Sequence, residues 1–409
     1  MSEIRVYKNI AFLLLVQFSN YIAPLLLLPY LTRVLGIEKF GVFVMAMSMT
    51  SIAMILTDFG FNLSGTHWVA RYHEQREKVA KYLGSVTIIK LCLAIISSTG
   101  VVIYSWLMPQ IGFSNLVLFS IVLVILSQAF QLTWFFQGIE KMKNITISLV
   151  TAKILYMALV FLLIRDENDI HLVMYSLAGS NIIAAVIGSR LLKNAGYWFS
   201  FPSMDLVWKV FSSSVEFFMS RAAVGIYTSA STFIVGSICG AQQAALYSSA
   251  EKLYQAGQGV TAPVTQALYP YLTHTPNAKI FYKFIVLLTL PLALGCSIIY
   301  FFSSEILSLF YGQDFAQASD ILRVFLISSV VTFIGINFGY PAFSMIGRVD
   351  IANKTVLWGA ALQLISLFLM YMQGMISAIN VCYSVLFVET IVMLLRISFF
   401  YYFIRKIGS

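Results

Sequence analysis

Nine charged side chains stand inside otherwise apolar stretches of this 409-residue chain: Asp58, Lys90, Lys153, Glu216, Arg221, Glu251, Lys252, Glu389 and Arg396. A charge at the centre of a membrane-crossing helix costs about 2.5–3.5 kcal/mol on insertion scales, so its retention points to a partner, a water-filled cavity or a task. Lys90, Lys153 and Arg396 lie near helix ends, where a long side chain can snorkel to the interface. Arg221, Glu251 and Lys252 lie deeper. Glu216 and Arg221 are five apart, about 140° round a helix, so neither can pair with the other on its own helix. Asp58 closes a span, and its plain structural reading is a pair with a loop base such as Arg71. Tyr227 and Tyr254 are too deep for an interfacial belt, and each offers a flat apolar face with a hydroxyl, which suits a sugar ring. Four acids against five bases lean toward an anionic, polar cargo.

Bond-making chemistry is the weaker expectation. The chain has no Walker A motif, Gly-rich nucleotide loop, HExxH or GxSxG. Cys92, Cys239, Cys296 and Cys382 are far apart with no CxxC pair, and His67, His73, His171 and His274 are equally scattered. No metal, no cofactor and no catalytic residue is expected, and the chain reads as a non-enzyme.

The elements that must position these groups are set by composition. Hydrophobic residues make up 59% of the chain and charged residues 11%, against roughly 45–50% and about 25% in soluble domains. Apolar runs recur that are long enough to cross a hydrocarbon core of about 30 Å, and their uniform hydrophobicity predicts helices rather than barrel strands. The spans fall at 9–32, 40–62, 82–108, 115–137, 145–164, 172–193, 213–238, 244–272, 281–303, 319–346, 354–373 and 376–403. Three are interrupted: at Pro24 and Pro29, at Gly257 to Pro263, and at Gly339-Tyr340-Pro341. Polar residues beside them (Asn20, Gln258, Asn337) predict a polar central cavity.

With the N-terminus inside, the cytoplasmic segments hold 17 of the 26 lysines and arginines and the opposite side four (Arg33, Lys39, Arg165, Arg323). That asymmetry predicts both termini in the cytoplasm. It also accounts for the net charge of +9 without nucleic acid. Twelve spans divide into a first lobe over 1–193, an interfacial linker over 194–212 and a second lobe over 213–409. A weak repeat agrees: Gly36 to Phe43 enters the second span and Gly240 to Tyr247 the eighth. In the linker, Tyr197, Trp198, Phe199, Leu206, Val207 and Trp208 read as an interfacial anchor.

Several segments carry a resemblance. They are Pro29 to Gly36 with Phe40-Gly41, Thr57-Asp58-Phe59-Gly60-Phe61-Asn62, Trp134-Phe135-Phe136-Gln137-Gly138-Ile139-Glu140, Tyr247 to Lys252, and Phe310-Tyr311-Gly312-Gln313-Asp314-Phe315. In order and in placement at span ends they resemble the O-antigen flippases of the Wzx type. These belong to the polysaccharide transporter branch of the multidrug/oligosaccharidyl-lipid/polysaccharide exporter superfamily. The resemblance implies an all-α polytopic membrane protein of about twelve transmembrane helices, with two six-helix lobes in a V around a cationic cavity. It implies an undecaprenyl-diphosphate-linked glycan as cargo, alternating access with ion coupling as an option, and a bacterial inner-membrane location. A polysaccharide polymerase and a chain-length regulator are implied partners besides the bilayer itself. Helices one, two, seven and eight line the family's cavity. Arg33, Arg221, Lys252 and Tyr254, with Lys153 of the fifth span, are expected to bind cargo, and Asp58 and Glu251 to serve gating or ion coupling. A multidrug-type exporter of the same superfamily is the alternative. A membrane-embedded polymerase or glycosyltransferase is disfavoured by outside loops mostly under ten residues.

Overall fold

A computed structural model describes the backbone of residues 3–274 and 276–408. It describes their side chains except at 3–11, 13, 14, 18, 21, 110, 220, 221, 223, 224, 226–229, 260, 263, 264, 266, 267, 270, 407 and 408. Every regular element among the described residues is helical. In chain order these are α1 (Glu3–Asp58), α2 (Phe61–Tyr72), α3 (Arg76–Leu107), α4 (Asn115–Ala129), α5 (Thr133–Gly138), α6 (Met142–Leu163), α7 (Ile170–Asn194) and α8 (Met204–Cys239). They continue with α9 (Ala241–His274), α10 (Ala278–Phe301), α11 (Ser303–Tyr311), α12 (Ser319–Asn337), α13 (Tyr340–Met345), α14 (Val349–Met372) and α15 (Ala378–Gly408).

Nine stretches of the described residues are long and apolar enough to cross a membrane. The first of them holds two runs, because α1 is interrupted at Gly36 (φ +67°, ψ 172°). With α8 and α9, 36 and 34 residues long, the helices are compatible with twelve crossings. Gly36 and Gly240 (φ +91°) occupy the left-handed half of backbone space that only glycine enters cheaply. Nothing stands within 4 Å of where a Cβ would sit at either, so conformation rather than space requires glycine. These are the two glycines that open the sequence repeat, and Phe43 and Tyr247 at its far end are both buried.

Hydrophobicity here serves lipid as much as core. Only 6% of the apolar window of α10 is buried within the chain, so Leu287, Leu290, Leu294 and Ile298 face outward. Such a helix is stable where its own backbone satisfies every polar group and the surroundings are hydrocarbon. The chain is therefore a multi-pass, all-α membrane protein.

Packing divides the chain into two compact units, Met1–Ala230 and Ser231–Ser409, with the boundary inside α8. The first unit keeps the start of α8 because Ser214 hydrogen-bonds Ser64 at 3.0 Å and Phe218 stacks on Phe59. Its aromatic core gathers Phe61, Tyr82, Trp134, Phe135, Phe136 and Tyr197. The second unit has its own core around Phe281, Phe338, Phe343 and Phe400.

Three local expectations need correction. Residues 63–81, expected as a connection between spans, hold most of α2 and the start of α3. The polar face of α2 hides its helical spacing from a hydropathy window, while Phe61, Ser64, Gly65 and Val69 are buried. The connection expected between the spans 281–303 and 319–346 folds as α11 and a 3-10 turn over Gln313–Ala318, burying Leu307, Tyr311 and Phe315. Tyr197, expected at the interface, is a core residue. Its hydroxyl donates to the His73 carbonyl at 3.0 Å, and the Arg76 guanidinium lies 3.8 Å above its ring. Burial pushes the Tyr197 hydroxyl pKa up, and the Arg76 charge partly offsets this. Trp198, Phe199 and Trp208 remain exposed.

Candidate functional site

The first unit holds a polar cavity of about 340 Å³ among its helices. Ser51, Asp58, Asn62, Lys90, Gln128, Gln131 and Thr133 line it, with Met54, Ile55 and Gly225 as the apolar remainder. A polar cavity among membrane-spanning helices is costly unless it holds water or a polar ligand.

Five of the seven polar groups are delivered by a helix end or break, while Ser51 and Lys90 stand within α1 and α3. Asp58 is the last residue of α1, and two left-handed residues follow it, Phe59 (φ +45°) and Gly60 (φ +75°). A left-handed phenylalanine is strained. Phe59 is held there by stacking between Phe211 and Phe218, with centroids 4.6 and 4.7 Å away. A Cβ on Gly60 would meet the backbone of Phe217 at 2.8 Å, so this turn accepts only glycine. The turn ends α1 with its carboxylate at the cavity and starts α2, whose second residue, Asn62, lines it too. Gln131 lies in the break between α4 and α5 and donates through Nε2 to Asn181 Oδ1 at 3.0 Å. Thr133 starts α5. Gly225 lets α8 approach α1, where a Cβ would meet Ile55 at 2.5 Å.

Lys90 of α3 is the partner of Asp58, with Nζ 3.8 Å from Oδ1. The expected Asp58–Arg71 pair is not formed; Arg71 instead lies over the Tyr72 ring at 5.7 Å. Nor does Lys90 snorkel. Its side chain is 7% exposed, against 18% for Asp58. The separation is longer than a charge-assisted hydrogen bond of about 2.7–2.9 Å. The pair neutralises itself while leaving both ends on the cavity, where a hydroxyl or phosphate oxygen can insert. Around it, three amides and two hydroxyls offer donors and acceptors in the mixture that a sugar presents.

The structure places the remaining expected site residues as follows. Arg33 is exposed and donates from Nη1 to the Pro29 carbonyl at 2.9 Å. Lys153 bonds Asn20 Oδ1. Arg221 and Tyr227 lie outside the residues whose side chains are described. Glu251, Lys252 and Tyr254 share α9 in the second unit. There Glu251 accepts from Thr232 at 3.0 Å, and the exposed Lys252 reaches Gln255 at 3.1 Å. Tyr254 bonds Thr332 at 3.1 Å and stacks on Phe325 with centroids 5.0 Å apart.

Arg396, expected to snorkel, is buried. Its Nε donates to Thr355 Oγ1 at 2.9 Å and its Nη1 to the Gly335 carbonyl at 2.8 Å. The Gly339 N–H turns to Ile336 where α12 ends ahead of Pro341, so Arg396 takes over a carbonyl at the helix break. Among the expected site residues whose side chains are described, then, Asp58 is the one that lines the cavity. Gln128, Gln131, Thr133, Asn62 and Ser51 escaped sequence reasoning because neutral polar residues near span ends are commonplace. The usable signal was their closeness to the segments Thr57–Asn62 and Trp134–Gly138.

Comparisons with known proteins agree with this architecture. A family model described as polysaccharide biosynthesis protein matches residues 6–275. A putative O-antigen transporter of Escherichia coli (strain K12) is 28% identical over 276 residues, 67% of this chain and about two thirds (66%) of that relative. One from Shigella dysenteriae is 27% identical over 402 residues, 96% of this chain and 99% of that protein. Among solved structures, an inward-facing multidrug resistance MATE family transporter of the MOP superfamily superposes with a TM-score of 0.66 at 13% identity. That match covers 95% of this chain and 98% of the other. The lipid II flippase MurJ in an inward closed conformation gives 0.61 at 20% identity, covering 95% and 86%. At these identities the structural matches speak for the fold.

Proposed function

The chain belongs to the polysaccharide biosynthesis protein family, and from that premise we propose that it is a lipid-linked oligosaccharide flippase. It carries an undecaprenyl-diphosphate-linked repeat unit of the O-antigen type from the cytoplasmic to the periplasmic leaflet of a bacterial inner membrane, by alternating access. Both termini lie in the cytoplasm, as the 17-to-4 distribution of basic residues favours. A polysaccharide polymerase and a chain-length regulator are the partners that would receive the product.

The observation that carries this reading is the polar cavity with its loose Asp58–Lys90 pair. The cargo is anionic at its diphosphate, polar in its glycan and apolar in its tail. Amides and hydroxyls serve the glycan, and Lys90 can exchange Asp58 for an incoming oxygen. At an effective dielectric of about 20, one unit-charge pair 4 Å apart is worth roughly 4 kcal/mol before desolvation, enough to matter and small enough to reverse. Arg33, Lys153, Arg221 and Lys252 supply further cations for the diphosphate, Tyr254 a face for sugar, and Asp58 and Glu251 the carboxylates for gating or ion coupling.

The test is deletion of the gene, followed by leaflet-resolved analysis of lipid-linked sugars. The expected result is a polyprenyl-diphosphate glycan stranded on the cytoplasmic leaflet, cleared by the wild-type gene and not by Asp58→Asn at equal protein level. Accumulation on the periplasmic leaflet would refute the reading and point to a polymerase.

A further inference from the structure

A second hollow in the first unit, about 480 Å³, lies outside the polar cavity and has a different chemistry. It runs between α4 and α7. Leu123, Leu126 and Phe130 form one wall at helical spacing, and Ile182 and Val186 form the other. Ala185 and Ser189 are small and leave the space open. The two helices run in the same direction: Tyr175 near the start of α7 donates to the Leu116 carbonyl near the start of α4 at 3.3 Å. Further along, a methyl on Gly188 would meet Leu132 at 3.9 Å.

At one end of this groove stand Arg190 and Lys193, three residues apart on the same face of α7 and both exposed. Among the described residues, neither makes an ion pair or a side-chain hydrogen bond, and no acid lines the groove. From Ile182 to Lys193 the α7 stripe rises about 16 Å at 1.5 Å per residue. That equals the depth of one leaflet's hydrocarbon, about 15 Å. The apolar part of the slot, Ile182 to Ser189, makes up about 10 Å of that rise and the two unpaired cations the remainder, so slot and cations together have the dimensions and charge of a single lipid in one leaflet. Its basic end is the one that the lysine and arginine distribution assigns to the cytoplasm.

We infer that the α4–α7 groove is a binding site for one anionic phospholipid of the cytoplasmic leaflet, an acyl chain lying along Leu123 to Phe130 and the phosphate held by Arg190 and Lys193. The site is separate from the cargo cavity and independent of its assignment. Its consequence is a requirement for acidic lipid next to the break between α4 and α5 that carries Gln131.

Native mass spectrometry of the purified full chain in detergent tests this, with phosphatidylglycerol, phosphatidylethanolamine and glycerol phosphate as probes. Phosphatidylglycerol should bind more tightly than phosphatidylethanolamine, and glycerol phosphate hardly at all. Arg190→Gln with Lys193→Gln should weaken phosphatidylglycerol about 25-fold, or about fivefold per charge removed. Ala185→Leu, or Ser189→Leu should the first variant not fold, should weaken it by filling the slot while both cations remain. Lys279→Gln with Lys283→Gln removes two exposed cations elsewhere and should leave binding unchanged. Equal binding of both phospholipids, an equal loss in the Lys279/Lys283 variant, or unchanged binding after the groove is filled would each overturn the inference. So would displacement of phosphatidylglycerol by a polyprenyl phosphate at a tenth of its concentration, which would reassign the groove to the cargo's own lipid.

Discussion

Lys90 in the first unit and Arg396 in the second are both buried cations, 6% and 7% exposed, and their surroundings differ in kind. Arg396 is used up by structure, donating to the Gly335 carbonyl and the Thr355 hydroxyl at ordinary hydrogen-bond lengths. Lys90 faces a carboxylate 3.8 Å away across the edge of a polar cavity. The second unit treats other polar groups as it treats Arg396: Glu251 takes a bond from Thr232, and Tyr254 pairs with Thr332. A charge in a membrane helix therefore has two stable fates. Closed within a hydrogen-bond set it holds a broken helix together, and left loosely paired on a cavity it remains available to a ligand.

The comparison breaks first at Arg396. Arg396→Leu strands the Gly335 carbonyl, worth about 1–3 kcal/mol when unsatisfied. It also removes a charge-assisted bond worth about 1.5–3 kcal/mol to the Thr355 hydroxyl, which keeps its own bond to the Ala352 carbonyl, so stability should fall by about 2.5–6 kcal/mol. Thermal melting in detergent reads this. Transport per folded molecule should hold, and a wild-type melting curve would remove the structural role. Lys90→Met is the next largest. It leaves Asp58 without its cation, which costs up to about 3–5 kcal/mol in a dry site and about 1–3 kcal/mol beside cavity water. Adding Asp58→Asn should restore stability without restoring export. Recovery of both would make the pair structural, as Arg396 is.

Gly60→Ala sharpens the same contrast, because it disturbs the turn that delivers Asp58 and no charge. The left-handed conformation alone costs about 1–2 kcal/mol in a residue with a Cβ. Complementation should fall with protein level restored by overexpression, since the carboxylate is displaced. The smallest effect is expected in the second unit. Tyr254→Phe and Thr332→Val should each cost about 1 kcal/mol, and together no more than either alone, since both remove one hydrogen bond. Additive losses in a double-mutant cycle would show that the two groups have separate partners.

Much of this architecture is legible in the sequence because a membrane imposes one-dimensional rules. A span must be long and apolar, its backbone must bond to itself, and its breaks are favoured at glycine or proline, although the break at Gln131 has neither. Gly36 and Gly240 mark turns and Pro341 starts a helix, as their residue types require. Helix α2 was less legible. It lies beyond the apolar run, and its buried face is read only from Phe61, Ser64, Gly65 and Val69 against α5. The aromatic run Trp134-Phe135-Phe136 is visible as a segment, but its role as the centre of the first core comes from packing alone.

Hydropathy and helical spacing are properties of a segment, so the chain by itself determined that it is all-helical, that it crosses a membrane many times and that a helix breaks before Pro341. The expected interruptions at Pro24 and Pro29 and at Gly257 to Pro263 instead run on as helix within α1 and α9. Pairing is a property of two segments brought together. Nothing local to Asp58 distinguishes Lys90, 32 positions later, from Arg71, 13 positions later, and the nearer base is the poorer choice once α2 carries it away. Whether a charge ends in a hydrogen-bond set like that of Arg396 or on a cavity like that of Lys90 depends on which neighbour fills the space beside it. Only the folded helices decide that.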